Sequence, residues 1–270
     1  MSKDKKNMSK SNFFQLLPAR DSQLELRIKH CRMAIIDQWT YPDAIHSYWR
    51  FYWNPEPGAE IEHNGTVWKM TSDKVFLIPP FTRLSTRSDR PFRHCYIHFE
   101  ASAPFDRVRR GVLTFPSGEI RSFFRSLGTG ETPISYPARL HQMICHYLGL
   151  IPAEQFADPG TSILDPRIQR AAELLSAHIR QPLSNRELCR KAGMNLNDFY
   201  LKFREGLGVT PKQYLFALRM ELAREKLLHT VSGLEEIAEE CGYADRFQFS
   251  KAFRKSFGIP PAAYRKKYRP

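Results

Sequence analysis

Three things are scarce in this 270-residue chain, and each scarcity excludes something. Cysteine is sparse. The five present (Cys31, Cys95, Cys145, Cys189, Cys241) are odd in number and widely spaced, with no C-x-x-C pair. That pattern supports neither a disulfide framework nor zinc-finger spacing. Long apolar runs are missing as well, since no window approaches the ~18 uninterrupted apolar residues of a membrane span. The opening MSKDKKNMSKSNFF is basic and polar with no apolar stretch behind it, so no secretory signal is expected. Acidic charge is short too: 28 Asp+Glu face 41 Lys+Arg, a net of +13. The chain has no lack of core material, with 42% hydrophobic residues and 19 Phe. Wholesale disorder is therefore excluded, and a soluble cytoplasmic protein of one large or two ordinary domains is expected.

The basic surplus is uneven. Residues 166–270 hold 20 Lys+Arg and 11 Asp+Glu, a net of +9, whereas residues 1–165 hold 21 and 17, a net of +4. A basic module beside a nearly neutral one suggests a polyanion binder attached to something else, although a solvated basic face gives the same arithmetic.

Residues 13–115 read as β. LELRIKHCRMAII (24–36), HSYWRFYW (46–53), TVWKM (66–70), KVFLIPP (74–80) and FRHCYIHFEA (92–101) are rich in aromatic and β-branched residues. Asn64-Gly65 is a hairpin signal between two short strands. Strands at this spacing predict a sandwich or small barrel. Two helices follow, over 118–128 and 137–151, and their apolar stripes either cover the β-domain or meet a second copy. Residues 152–165 have two Pro, one Gly and no periodicity, with a third Pro directly after them at 166, and read as a linker. From Pro166 onward the pattern is helical.

The last 90 residues contain a repeat. ELCRKAGM (187–194) matches EIAEECGY (236–243), and Phe199, Phe203, Arg204, Gly208, Pro211 and Tyr214 answer to Phe249, Phe253, Arg254, Gly258, Pro261 and Tyr264. In the first unit Ser184 caps a short helix, with Glu187 closing a capping box. Gly193 supplies a turn of positive φ, and Asn195 caps a second helix. In the second unit Ser232 is expected to cap residues 233–241 with Glu235 closing its box. Gly242 then makes the turn, and Asp245 caps the next helix. Residues 211–229 join the units as one long helix. Two copies of a short-helix, glycine-turn, helix grammar with a basic surplus favour DNA binding over a helical stack that merely packs on itself.

These residues resemble the AraC/XylS family of bacterial transcription regulators. The likeness rests on the paired F-x-x-x-F-R motifs, on GVTPKQY (208–214) and GIPPAAY (258–264), and on a linker-helix pattern, ALRMELAREKLLHT (217–230). It spans about residues 167–268. Phe247 departs from the family, which more often has a small polar residue there. The resemblance implies an α+β, two-domain protein. A cupin-like β-barrel with two following helices would precede an all-α domain of two helix-turn-helix units joined by a long helix. The expected division is a basic tail at 1–12, an effector domain at 13–151, a linker at 152–165 and a DNA-binding domain at 166–270.

By position, the resemblance implies that Asn197, Tyr200 and Leu201, then Arg246, Ser250 and Lys251, face bases. Arg or Lys can read guanine and Asn adenine, whereas Leu201 can meet only a thymine methyl. Arg204, Arg254 and Lys255 are expected on phosphates. The implied partners are double-stranded promoter DNA, RNA polymerase, a second copy through 118–151, and a small-molecule effector, with activation the commoner outcome.

The strand 46–53 separates by parity, so that His46, Arg50 and Tyr52 share one face, and His94, Tyr96 and His98 share another strand's face. His46, Arg50, Tyr52, His94 and Tyr96 are the expected effector contacts, with a carbohydrate as the expected class; for any one of them, a satisfied core position is an equally good reading. No metal or other cofactor is expected. His94 and His98 would lie roughly 13 Å apart along an extended strand, too far to share a metal. No G-x-S-x-G or P-loop appears. A cupin enzyme with a basic appendage, and a helical adaptor for an acidic protein, are the rival readings.

Overall fold

The computed structural model describes residues 24–37, 39–126, 135–158 and 163–268. The basic tail expected at 1–12 lies outside them. Nine strands come first: β1 (Leu26–Ile36), β2 (Tyr41–Ala44), β3 (Trp49–Trp53), β4 (Ala59–His63), β5 (Thr66–Lys69), β6 (Lys74–Ile78), β7 (Leu84–Ser88), β8 (Phe92–Ala101) and β9 (Leu113–Pro116). They form two open antiparallel sheets, one of five strands in the order β1-β8-β3-β6-β9 and one of four in the order β2-β7-β4-β5.

The expected cupin barrel is therefore not formed. No ladder among the described residues joins the two sheets, and the chain meets its burial needs without closure. On one face of the five-stranded sheet, Trp49, Phe51, Val75, Leu77 and Ile97 pack against α1 (Gly118–Ser126) and α2 (Ser135–Gly149). On the other face, Tyr52, Phe76, Ile78 and Tyr96 pack against Ile61 and Leu84 of the four-stranded sheet. With both faces covered, all five residues of β3 are buried. The Asn64-Gly65 turn does join β4 to β5, with φ of 50° and 79°, the double positive φ that a tight hairpin requires.

The apolar stripes of the two helices are spent on the sheet: Ile120, Phe123, Leu140, Met143, Ile144 and Tyr147 belong to its core. In the stretch read as a linker, the described residues hold one 3-10 turn at Ala153–Gln155 and dock on the body. Ala157 N–H donates to the Arg107 carbonyl at 2.9 Å, and Leu164 is buried.

Seven helices follow: α3 (Pro166–Ala177), α4 (Asn185–Ala192), α5 (Leu196–Leu207), α6 (Pro211–His229), α7 (Leu234–Glu240), α8 (Arg246–Phe257) and α9 (Pro261–Tyr268). Their ends follow local chemistry. Asp165 caps α3 ahead of Pro166. Ser184 and Glu187 make a reciprocal capping box on α4, and Gly193 closes it at φ 63°. Thr210 and Gln213 repeat the box on α6. α7 departs from expectation: its cap is Gly233, which makes no side-chain cap, one residue later than Ser232. The Ser232 carbonyl is held instead by Arg265 Nη2 at 2.6 Å, which fixes the chain outside the helix. Gly242 is required on two counts, because its φ is 77° and a Cβ there would lie 2.7 Å from the Ile179 and Arg180 carbonyl oxygens.

Two cores hold the two helix pairs. Phe199, Phe203 and Leu207 of α5 pack with Ile168, Leu175 and Leu188, and with Tyr214 and Leu218 from the first half of α6. Phe249 and Phe253 of α8 pack with Ile237 and Cys241, and with Met220, Ala223 and Leu227 from the second half of α6. The long helix thus contributes one face to each core.

Candidate nucleic-acid interface and cavity

The buried phenylalanines decide what faces outward. Phe199 and Phe203 are four apart and Phe249 and Phe253 likewise, so each pair anchors one face of its helix. On α5 the opposite face exposes Asn197, Tyr200, Leu201 and Arg204. Leu201 is 58% exposed, and the Tyr200 hydroxyl accepts a hydrogen bond from Asn185 Nδ2. On α8, Arg246, Lys251, Arg254 and Lys255 are exposed and Ser250 is half-buried. Asp245 caps this helix, accepting from Phe247 N–H and Gln248 N–H at 2.8 Å each. Phe247 is 72% exposed, and the Arg246 guanidinium lies over its ring at 5.0 Å. Arg246 also sits 4.0 Å from Glu235, an exposed and weak pairing. The structure thus brings the nine sequence-predicted DNA residues onto two outward helix faces, except that Lys255 also reaches the rim of a cavity.

That cavity, of about 350 Å³, lies between the two sheets, α6 and the end of α8. Strand register assembles its floor: Arg50 stands opposite His98, and Tyr52 opposite Tyr96, in the β3–β8 ladder. Residues directly opposite share a face, so Arg50, Tyr52, His94, Tyr96 and His98 point the same way. His46 joins them from the loop before β3 rather than from within the strand, as the sequence had suggested; its ring stacks on Tyr48 at 4.9 Å. All five residues expected to contact an effector therefore line one cavity.

The electrostatics are those of a dry pocket. Burial lowers the His46 and His94 pKa values to about 3 and that of His98 well below the usual range, so all three are neutral at pH 7. His94 Nδ1 lies 2.7 Å from Asn54 Oδ1. Asn54 turns its amide nitrogen toward the Met70 sulfur, so the imidazole N–H donates in this pair.

Two cavity residues escaped sequence reasoning. Glu221 and Arg224 of α6 form an ion pair at 2.7 Å with side chains only 19% and 10% exposed. Burial opposes ionisation of Glu221, but Arg224, His46 and His98 outweigh it and hold the carboxyl at about 2. The available signal was a charged pair three residues apart inside a helix whose neighbours are apolar on two faces. Arg224 also lies over the Tyr41 ring at 5.6 Å, and Tyr41 meets Phe257 of α8 at 5.6 Å.

Fold and surface together define a double helix-turn-helix module, with one outward helix of balanced charge (α5) and one strongly basic (α8), joined to a β-rich body with an internal cavity. Residues 188–267 match the helix-turn-helix domain family. Among curated proteins, the chain is similar to the probable transcriptional regulator LumQ of Photobacterium leiognathi, 31% identical over 90 residues, covering 33% of this chain and 36% of that protein. It is also similar to the lactose operon transcription activator of Staphylococcus xylosus, 30% identical over 103 residues, 38% of this chain and 37% of that one. The matched region thus spans little more than a third of these relatives. The crystal structure of ToxT from Vibrio cholerae shares the fold across 90% of this chain and 99% of its own, with a TM-score of 0.68 at 14% identity. These sequence relatives are transcriptional regulators, not members of catalytic families. Among the described residues no group of three or more His, Cys, Asp or Glu is placed to hold a metal, and no helix is long and apolar enough to cross a membrane.

Proposed function

We propose that the chain is a sequence-specific DNA-binding transcription regulator of the AraC/XylS type, controlled by a small molecule held in the cavity between sheets and α6. The observation that carries the reading is the duplicated unit: two outward helices, each backed by a phenylalanine pair and each bearing basic and polar residues. α5 reads bases through Asn197, Tyr200 and Leu201, and α8 through Arg246, Ser250 and Lys251. Arg204, Arg254 and Lys255 hold phosphates. Residues 13–151 form the sensing part, 152–165 the connection and 166–270 the DNA-binding part. His46, Arg50, Tyr52, His94 and Tyr96 supply effector contacts. Activation through RNA polymerase, pairing of two copies through outer surfaces of 118–151, and action in the cytoplasm complete the reading.

The test is selection of bound duplexes from a random pool by the full-length chain. Retention of a defined sequence over a scrambled one, with affinity falling steeply as salt rises, is expected. Equal retention of both would overturn sequence-specific binding.

A further inference from the structure

The two helix-turn-helix units are repeats, so equivalent positions carry equivalent duties. Their first helices align at an offset of 49 residues and their second helices at an offset of 50. Buried positions keep their character: Leu188 answers to Ile237, and Phe199 and Phe203 answer to Phe249 and Phe253. Outer positions exchange it. In the last turn of the first helix, Arg190 and Lys191 of α4 stand where α7 has Glu239 and Glu240. On the outward face of the second helix, Leu196 and Leu201 of α5 stand where α8 has Arg246 and Lys251. A cation pair and an apolar pair in the first unit thus become an acid pair and a cation pair in the second.

The surroundings of each pair agree with the exchange. Arg190 and Lys191 are exposed, and Glu187, the one acid of α4, is spent on its capping box with Ser184. Glu239 and Glu240 are instead tied to other parts of the helical domain, Glu239 to Arg180 and Glu240 to Lys226 at 2.8 Å. On α5, Lys202 and Arg204 balance Asp198 and Glu205, and Lys202 leans on Asp165 at 3.6 Å. The large side chains that α5 exposes in its first two turns are Leu196 at 44%, Tyr200 at 39% and Leu201 at 58%. They sit at i, i+4 and i+5 and form one ridge. α8 carries Arg246, Lys251, Arg254 and Lys255 and no acid. Phosphate contacts seat such a unit and base contacts make it specific. The first helix crosses the backbone and the second enters the groove. Acids in the last turn of α7 repel phosphates and oppose the helix dipole, so the second unit must take its phosphate contacts from α8. The cations of α4 lie one tight turn, at Gly193, before the α5 ridge. With them on the backbone, α5 is free to present apolar side chains to the groove, where the matching feature is the thymine methyl.

We propose that the two units hold DNA by exchanged means: the first is seated on phosphates by Arg190 and Lys191 of α4 and reads thymine methyls with Leu196, Tyr200 and Leu201 of α5, whereas the second takes phosphates and bases alike with the cations of α8. The proposal rests on the chain being a sequence-specific DNA binder, and it adds Arg190, Lys191 and Leu196 to the interface. The half-site under α5 then carries at least two thymines at fixed positions.

The test uses the full-length protein and the duplex it selects from a random pool. Single thymine-to-uracil changes remove one methyl each and are expected to weaken binding about fourfold at two or more thymines, the worth of one buried methyl. This comparison on the unaltered protein needs no variant to fold. Leu196→Ala with Leu201→Ala should weaken binding to the thymine duplex and abolish the uracil effect at those thymines. Arg190→Gln with Lys191→Gln should reduce the slope of log affinity against log salt by about 2, whereas Lys69→Gln with Lys74→Gln on the β-rich body should leave it unchanged. Three results overturn the proposal: no uracil effect on the unaltered protein, a uracil effect that persists in full at every thymine in the double-leucine variant, or an undiminished salt slope in the Arg190→Gln, Lys191→Gln protein. Each leaves sequence-specific DNA binding standing. Selection of no sequence from the pool overturns that binding, and the proposal with it.

Discussion

At the scale of single residues, Phe247 is the most informative side chain on the surface proposed to face DNA. A phenylalanine 72% exposed on a folded surface gains nothing from folding. It occupies the first turn of α8, and Lys251 and Arg254 lie four and seven residues on, along the same outward face. A thymine methyl in the major groove is the natural apolar partner for such a ring. Replacing Phe247 with Ala is expected to weaken binding to the selected duplex about tenfold, the size of a good single base contact. Replacing the contacted thymine with uracil, which removes only the methyl, should weaken the unaltered protein and leave Phe247→Ala unaffected. If every thymine-to-uracil change affects both proteins equally, Phe247 does not read a methyl. The sequence showed this residue as a departure from the family that the chain resembles, but only the structure shows that it points outward.

At the scale of elements, legibility followed locality. Helix starts and stops were readable because a cap is a contract between residues three apart, as Ser184 with Glu187 and Asn195 with Asp198 show. The one cap misread, Ser232, was displaced by a residue 33 positions away, Arg265, which takes its carbonyl. Two substitutions separate these cases. Asp245→Ala removes a side chain that caps two N–H groups and is expected to cost about 1 kcal/mol of unfolding free energy. Ser232→Ala should stay within about 0.5 kcal/mol of the unaltered protein. Urea denaturation of each measures the difference, and equal losses would contradict the shifted cap. Sheet closure was illegible for the same reason. Alternating strands fix which face is apolar but not whether the last strand returns to the first. Here α1, α2 and the second sheet cover both faces of the first, which leaves its edges open.

At the scale of the whole molecule, the cavity joins parts that the sequence presents separately. Parity along β3 and β8 placed Arg50, Tyr52, His94 and Tyr96 together, whereas the approach of Glu221 and Arg224 depends on where α6 lies against the sheets. The same enclosure makes stability depend on pH. His46 faces Arg50, Glu221 and Arg224; His98 faces His46, His30, Glu221 and Arg224; His94 faces Arg224. Burial lowers all three pKa values below the ordinary 6.5, to about 3 for His46 and His94. The unfolded chain therefore binds protons first as pH falls. Stability from these groups is fully present above about pH 6.5 and declines as pH drops toward 3. The thermal midpoint should fall between pH 7 and pH 5, and less steeply in a His98→Gln protein. A flat midpoint over that interval would show that the histidines are not enclosed.

The claim on which the functional reading depends is that α5 and α8 read DNA as two separate units. Methylation interference on the selected duplex tests it most directly. Two clusters of sensitive guanines or adenines are expected in successive major grooves, about 10 base pairs apart. Asn197→Ala with Leu201→Ala should erase one cluster only, and Ser250→Ala with Lys251→Ala only the other. A single cluster, or two clusters weakened equally by both variants, would contradict it.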